Sequence, residues 1–284
     1  MLPGVYQATK KDGSVYYRSN ITYRNKHISL GSFSTEAKAH EAYCVAGNFL
    51  FGTVLFDDIL EEYISKEQSF DHEKQYRFEP LSFHKIVSLF NFRDHGMYVS
   101  NPIYLRNNYF SYYLSPTEEL KFDIDDLFYY SQHKILRRQG HLFVNDYGMQ
   151  VTILSRYGLK NYAVCNRDYV FSNGDEMDLR YSNVVVINRY YGVTAYEKNG
   201  KIRYRVKIHI NGNYTVGTYS SEEKAAIAYN KAVDLARKAG IERNFSENYV
   251  DSMTPSEYAD LYLKVKISEK YMQYLNNYEA SSNS

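Results

Sequence analysis

Cysteine is scarce. Cys44 and Cys165 are the only two in 284 residues, too few for a disulfide framework or a zinc site of paired thiolates, so reduced structural thiols are expected. No apolar run approaches the length of a membrane span, and the N-terminus has no basic stretch leading into an apolar one. The expectation is a soluble, unsecreted protein with no membrane partner. There is no Gly-rich phosphate loop, no nucleophile elbow, no C-x-x-C pair and no His-Glu-x-x-His, which removes several common catalytic classes. Tryptophan is missing while tyrosine reaches 32, a bias that genome composition explains as readily as stacking surfaces do. With 44% hydrophobic residues, the chain is expected to bury real cores, as one large domain or two to three small ones.

Net charge is close to zero, at +1, but its distribution is uneven. Gly4 to Leu50 carries six Lys/Arg against three Asp/Glu, and Gly192 to Arg243 carries ten against five. Between them, Asp57 to Asp126 carries seven against fourteen. Two basic ends flank an acidic middle, which suits anion binding at the ends and offers a basic protein partner the region 57–126.

The most legible stretch runs from Gly192 to Tyr229. Gly-containing turns at Lys198-Asn199-Gly200 and Asn211-Gly212-Asn213 separate three β-rich runs, and Asn-Gly between alternating runs is a strong hairpin signal. Ser221 followed by Glu222 and Glu223 then predicts a helix cap. Ala225, Ala226, Ala228, Tyr229, Ala232, Val233 and Ala236 supply a helical apolar stripe after it. In the middle run Ile202, Tyr204, Val206, Ile208 and Ile210 alternate with Arg203, Arg205, Lys207 and His209. Strand alternation therefore packs the apolar set on the helix and gathers the cations on the opposite face.

The first fifty residues repeat this element. Gly4-Val5 corresponds to Gly192-Val193, Val15 to Ile21 corresponds to Ile202 to Ile208, and Leu30 to Glu36 corresponds to Val216 to Glu222, at offsets of 188, 187 and 186. Ala39 and Tyr43 fall on Ala225 and Tyr229. Only turn lengths differ, so the chain holds an internal duplication interrupted by about 140 residues. The shared pattern, Gly-Val, turn, aromatic-x-small-x-Ile, turn, then Leu/Val-Gly-x-aromatic with a capped Ala-rich helix, resembles the Apetala/ethylene-response-factor DNA-binding domain. The resemblance implies a three-stranded antiparallel sheet on one helix, with the polar sheet face in the DNA major groove. Tyr17 and Tyr204 stand where Trp or Phe is usual in that family, and its Arg-rich first strand is absent, so base preference does not carry over.

Between the copies, residues 51–75 read as an acidic amphipathic helix with Leu55, Ile59, Leu60, Tyr63 and Ile64 at helical spacing. Residues 76–121 show strand-like Met97-Tyr98-Val99 and Ile103-Tyr104-Leu105 and otherwise give no fold. From Phe122 the text predicts an acid-capped helix, a stop at Gly140 and a strand. Leu154-Ser155-Arg156, Asp168-Tyr169, Asn173-Gly174-Asp175, Asp178-Leu179-Arg180, Ser182-Asn183-Val184 and Asn188 then follow in the order of an HNH homing-endonuclease core, which this segment resembles over roughly residues 105–190.

Matched to that motif, Asp168 and Asn183 fall on metal-ligand positions, Tyr169 falls on the general base, and Ser155 replaces a histidine. A phenol with a pKa near ~10 is a poor substitute for an imidazole near ~6.5 at neutral pH. No catalytic residue is expected, and no cofactor beyond the vestige of a magnesium site at Asp168 and Asn183. His133 and His141 read as surface or capping residues, and His84 and His95 take no assignment.

The expected architecture is α+β. Small sheet-plus-helix domains at 1–52 and 191–284 flank an acidic connection at 53–104 and a degenerate ββα, HNH-like core at 105–190. The expected function is sequence-specific binding of double-stranded DNA without cleavage, by a cytoplasmic bacterial or phage protein derived from a mobile-element endonuclease and serving as a regulator or accessory factor. The contacting residues would be Arg203, Arg205, Lys207, His209, Asn213 and Thr215 in the second copy, and Arg18, Asn20, Thr22, His27 and Ser29 in the first. Two alternatives stay open: a metal-dependent HNH nicking enzyme, and a phage-encoded inhibitor that binds a host protein.

Overall fold

In the computed structural model, which describes residues 1–68 and 78–282, the chain opens with Val5–Thr9 (β1), Val15–Tyr23 (β2) and Lys26–Phe33 (β3), paired antiparallel in that order. Asp12 closes the first turn by accepting the Ser14 amide and hydroxyl at 2.9 and 2.7 Å. Arg24 and Asn25, both at positive φ, make the second. Glu36–Phe51 (α1) follows, capped by Thr35, whose hydroxyl accepts from the Lys38 amide at 3.3 Å. The architecture is α+β, and the chain divides into two compact units, residues 1–151 with 173–183 and residues 152–172 with those from 184 onward. The boundary between them runs through the segment that the sequence treats as one HNH-like core.

The first sheet and helix do not stand alone within their unit. Phe56–Gln68 (α2) and Phe83–His95 (α3) extend the same core, in which Ile21, Ile28, Phe49, Ile59, Phe90 and Tyr113 are all buried. Ile59 and Tyr63 are the buried members of the stripe expected on α2, whereas Leu55 lies before the helix and is exposed; residues 69–75 of that expectation fall outside the described residues. Arg93 on α3 donates to the Phe49 and Val54 carbonyls at 3.1 and 2.6 Å, satisfying groups at and beyond the end of α1. Helix α3 is buried without interruption from Ile86 to Phe92. Such a helix has no solvent-facing polar stripe to give it a period, so it leaves no helical signal in the sequence.

The rest of the first unit is mostly sheet. Ile103–Leu105 (β4), Tyr109–Ser115 (β5) and Glu118–Asp123 (β6) form one antiparallel sheet. After a 3-10 turn and the short helix Leu127–Gln132 (α4) come Ile135–Arg138 (β7), His141–Asp146 (β8) and Met149–Thr152 (β9), a second three-stranded sheet. Two expectations are corrected here. Met97-Tyr98-Val99 pairs with no strand. Gly140 does not stop a helix: with Gln139 it forms the two-residue, positive-φ turn of the β7–β8 hairpin, and the helix ends seven residues earlier at His133. Ile135 and Val144, buried and paired across that hairpin, outweigh the helical reading of the basic run.

The second unit contains the two-stranded ladder Tyr169–Phe171 (β10) with Val184–Val186 (β11), then Val193–Lys198 (β12), Lys201–His209 (β13) and Asn213–Tyr219 (β14) as an antiparallel sheet in that order. Asn199 and Gly200 supply the positive-φ hairpin turn expected of Asn-Gly. Glu222–Lys238 (α5) is capped by Ser221, and all seven residues of the expected stripe are buried. Pro255–Lys264 (α6), with a Thr254/Glu257 capping box, and Glu269–Ser282 (α7) complete the unit. From β11 the chain runs into β12, and no helix follows the β10–β11 ladder before α5.

The duplication holds at atomic detail. Each copy has a β-bulge between its second and third strands, at Ser19/Asn20 and at Val206/Lys207. The extra residues, Leu30 and Val216, are both buried. In each copy the amide after the bulge donates to the leading glycine: Asn20 to the Gly4 carbonyl at 2.9 Å, Lys207 to the Gly192 carbonyl at 2.8 Å. Gly4 (φ 74°) lies under the Tyr43 ring and Gly192 (φ 69°) under the Tyr229 ring, so close that a Cβ would come within 2.1 and 2.3 Å of ring carbons. Only glycine meets both the backbone and the space requirement. Among the described residues, no helix is long and apolar enough to cross a membrane.

Candidate nucleic-acid interface

Strand alternation and the bulge decide what each sheet shows to solvent. In the second copy Val206, Ile208 and Ile210 are buried against α5, while Arg205, Lys207 and His209 are exposed and Arg203 is half-buried at the strand's start. Ile202 departs from the expected inward set: it lies at the hairpin end of the strand and is 62% exposed. Across the outer face, Thr218 pairs with Arg205, Thr215 with Lys207 and Asn213 with His209. His209 Nδ1 lies 3.2 Å from Asn213 Oδ1.

Two further residues join this face that the sequence reading passed over. The Arg205 guanidinium sits 4.6 Å from the centre of the Tyr196 ring, a cation–π distance. A hydrogen bond with Thr218, then the Arg205 charge, holds the Tyr196 phenol below its ordinary pKa. Alternation along β12 from buried Val193 would have placed Thr194 and Tyr196 outward. That signal was present, but the diagonal contact to Arg205 needed the strand pairing. Among the described residues, Arg203, Arg205 and Lys207 form no ion pair with a carboxylate.

The first copy repeats the geometry with other chemistry. Arg18 occupies the position of Arg205 but donates from Nε and Nη2 to the Tyr16 hydroxyl at 3.1 and 2.6 Å. Asn20 takes the place of Lys207, and Ser29 that of Thr215. Thr22 Oγ1 and His27 Nδ1 are 3.2 Å apart, the same cross-strand pair as His209 and Asn213 with the histidine on the opposite strand. The first face is therefore polar, with one cation along the β2 row where β13 has three.

Asp168 and Ser155 of the HNH-like text hold loops, and Tyr169 packs in a strand. Asp168 is buried, its Oδ1 2.8 Å from Lys160 Nζ; its Oδ2 accepts from the Val164 amide at 2.9 Å and from Arg167 at 2.7 and 3.1 Å. Burial pushes its pKa up, but Arg167 and Lys160 outweigh it and hold the carboxyl below its usual range. Tyr169 is a buried ring on β10, edge-on to Phe171 at 5.5 Å. The Ser155 hydroxyl donates to the Thr152 carbonyl at 2.8 Å inside a 3-10 turn.

In the other unit, Asn183 accepts the Asn173 amide at 2.8 Å and donates to the Asp175 and Asp178 carbonyls at 3.1 and 2.7 Å. Asp178 is clamped by Arg180 at 2.6 and 2.8 Å, which first and foremost depresses its pKa. The polar atoms of Asp168 and of Asn183, the two residues expected at the vestige of a magnesium site, are each taken by protein partners. Two cations on Asp168 also oppose a divalent ion there. Among the described residues, no group of three or more His, Cys, Asp or Glu side chains could hold a metal ion.

His133 stacks on Tyr129 at 4.2 Å and faces Asp146 at 3.4 Å, while His84 Nε2 lies 3.2 Å from the Leu114 carbonyl. His95 meets Tyr104 edge-on, and His141 is exposed. No protein-family model, no curated protein and no solved structure matches the chain.

Proposed function

We propose that this protein binds double-stranded DNA through the outer face of the β12–β14 sheet and does not cut it, acting as a regulator or accessory factor. The observation that carries the reading is the exposed row of Arg205, Lys207 and His209, led by Arg203 and joined by Tyr196, with no carboxylate paired to its cations. A twisted two- or three-stranded ribbon fits the major groove, where Arg and Lys reach guanine edges or phosphates and Asn pairs with adenine. The absence of cleavage is supported by Asp168 being neutralised by Lys160 and Arg167 and by a buried tyrosine at the base position. The reading carries with it a place of action where the DNA is, in bacterial or phage-infected cytoplasm.

The test is titration of a labelled duplex library at several salt concentrations. Log K is expected to fall with log salt by roughly 0.9 per phosphate contact. A flat response between low and physiological salt would overturn the proposal. In parallel, supercoiled plasmid is expected to stay intact with magnesium or manganese at saturating protein. Nicking lost in Asp168→Ala would make the protein an enzyme.

A further inference from the structure

The covered edge of the second sheet carries a second cationic feature, which meets the row on β13 at Arg203. Arg203, Lys224, Lys264 and Lys266 converge on a cleft of about 580 Å³, whose remaining lining is Gly217 to Ser220 at the end of β14 and the α6–α7 connection. No carboxylate lines it. Lys224, Lys264 and Lys266 are exposed, and among the described residues the one ion pair of the four is the solvent-facing contact of Lys264 with Asp260 at 3.2 Å. Such an exposed helix pair is worth a few tenths of a kcal/mol at most, so it does not hold Lys264 back from another anion.

The segment that bears Lys264 and Lys266 is held rigidly. On one side Lys231 of α5 donates to the carbonyls of Tyr262, Leu263 and Val265 at 2.8, 3.3 and 2.9 Å, completing the end of α6. On the other side the segment is bonded to β14: the Ser268 amide donates to the Val216 carbonyl at 2.7 Å, the Ser268 hydroxyl to the Thr215 carbonyl at 2.7 Å, and the Tyr219 hydroxyl to the Lys266 carbonyl at 2.8 Å. The lysines thus project from backbone whose ordering cost is already met in the free protein. Lys270 lines a neighbouring hollow with Asn213 and Thr215, on the far side of Ser268.

We propose that this cleft grips the sugar–phosphate backbone of the same duplex that lies on the sheet face, with Arg203 as the residue shared by the two surfaces. The inference rests on the DNA-binding reading and adds a division of labour: Arg205, Lys207 and Asn213 face the bases, while Lys224, Lys264 and Lys266 neutralise phosphates and set the register. Contacts of the second kind carry affinity and salt dependence but no sequence preference.

The experiment compares the full-length chain with the triple variant Lys224→Gln, Lys264→Gln, Lys266→Gln, and with a control pair at exposed cations of the first unit, Lys134→Gln with Arg138→Gln. Unchanged melting temperatures establish folding. In duplex titrations the triple variant is expected to lower the salt slope by about 2 to 3, at roughly 0.9 per lost contact, and to weaken all sequences alike. The control pair is expected to leave the slope unchanged. An unaltered slope in the triple variant, with the parent still binding DNA in a salt-dependent way, overturns the cleft and leaves the sheet reading standing. No salt-dependent DNA binding by the parent overturns both. Loss of binding to some sequences only, or a cleft that takes free AMP while the duplex slope is untouched, also defeats the proposal.

Discussion

The two copies of the sheet-plus-helix element have kept one backbone and parted in surface chemistry. Both retain the glycine under a tyrosine ring, the bulge with its buried extra residue, the amide-to-glycine hydrogen bond and the hydroxyl cap. Each of these features is dictated by space or by a backbone group that needs a partner, so few residues satisfy it. The outer faces carry no such constraint. There Lys207 corresponds to Asn20 and Thr218 to Ser32, and the arginine keeps its place but has Tyr196 as its aromatic partner in one copy and Tyr16 in the other. The difference teaches that the fold alone does not make a binding site; the row of side chains does.

The surroundings differ too. The first copy shares its core with α2 and α3, while the second is finished by α6 and α7, whose connection covers the edge of β14 and brings the lysine cleft.

The comparison breaks most sharply at the glycines. Gly192→Ala and Gly4→Ala each force a Cβ against a ring and an L-residue into positive φ, at a cost of roughly 2 to 6 kcal/mol for overpacking plus backbone strain. Equal losses in chemical denaturation are expected, and a tolerated alanine at either site would show that the two copies do not share this lock.

The second test concerns a pair with no counterpart in the first copy. Asp168→Asn leaves Lys160, 9% exposed, without its counter-charge, and a loss of about 3 to 5 kcal/mol is expected at neutral pH. The sign with pH follows from the depressed carboxyl: its contribution is present above the unfolded value near ~3.9 and fades as pH falls through the folded value. The parent should therefore lose stability below about pH 4 more steeply than the variant. Parallel acid limbs would remove Asp168 from the account.

Ile208→Ala and Ile21→Ala sharpen the equivalence of the cores. Both side chains are buried against their helix, and each truncation should cost about 2 to 5 kcal/mol. A melting temperature unmoved by either would mean that the inward face is wrongly assigned.

On the ligand side the copies should separate. Arg205→Ala is expected to weaken duplex binding by about 1 to 3 kcal/mol, and Lys207→Ala to lower affinity evenly and the salt slope by about 1. Arg18→Ala, which removes a guanidinium already bonded to Tyr16, should change DNA affinity by less than about 0.5 kcal/mol. A first-copy effect as large as the second would make both faces binding surfaces.

What the sequence alone determined is local. Turn residues, period-two alternation on β13, the Ser221 cap and the alanine stripe each act within a few residues, so both sheet-plus-helix copies and the cation row on β13 could be read directly. Helix α3 could not, because burial on every side erases the period, and the stretch from Ile135 to Gly140 departs from the expected helix because a cross-strand pair decides it. Tertiary structure alone decided the rest. Whether an aspartate in a nuclease-like text meets an ion or two cations depends on what Lys160 and Arg167 can reach, and whether four cations form a cleft depends on Lys231 and Ser268 fastening α6 and α7 to their neighbours. Electrostatics acts through space over a few ångströms, and only the folded chain sets which charges come that close.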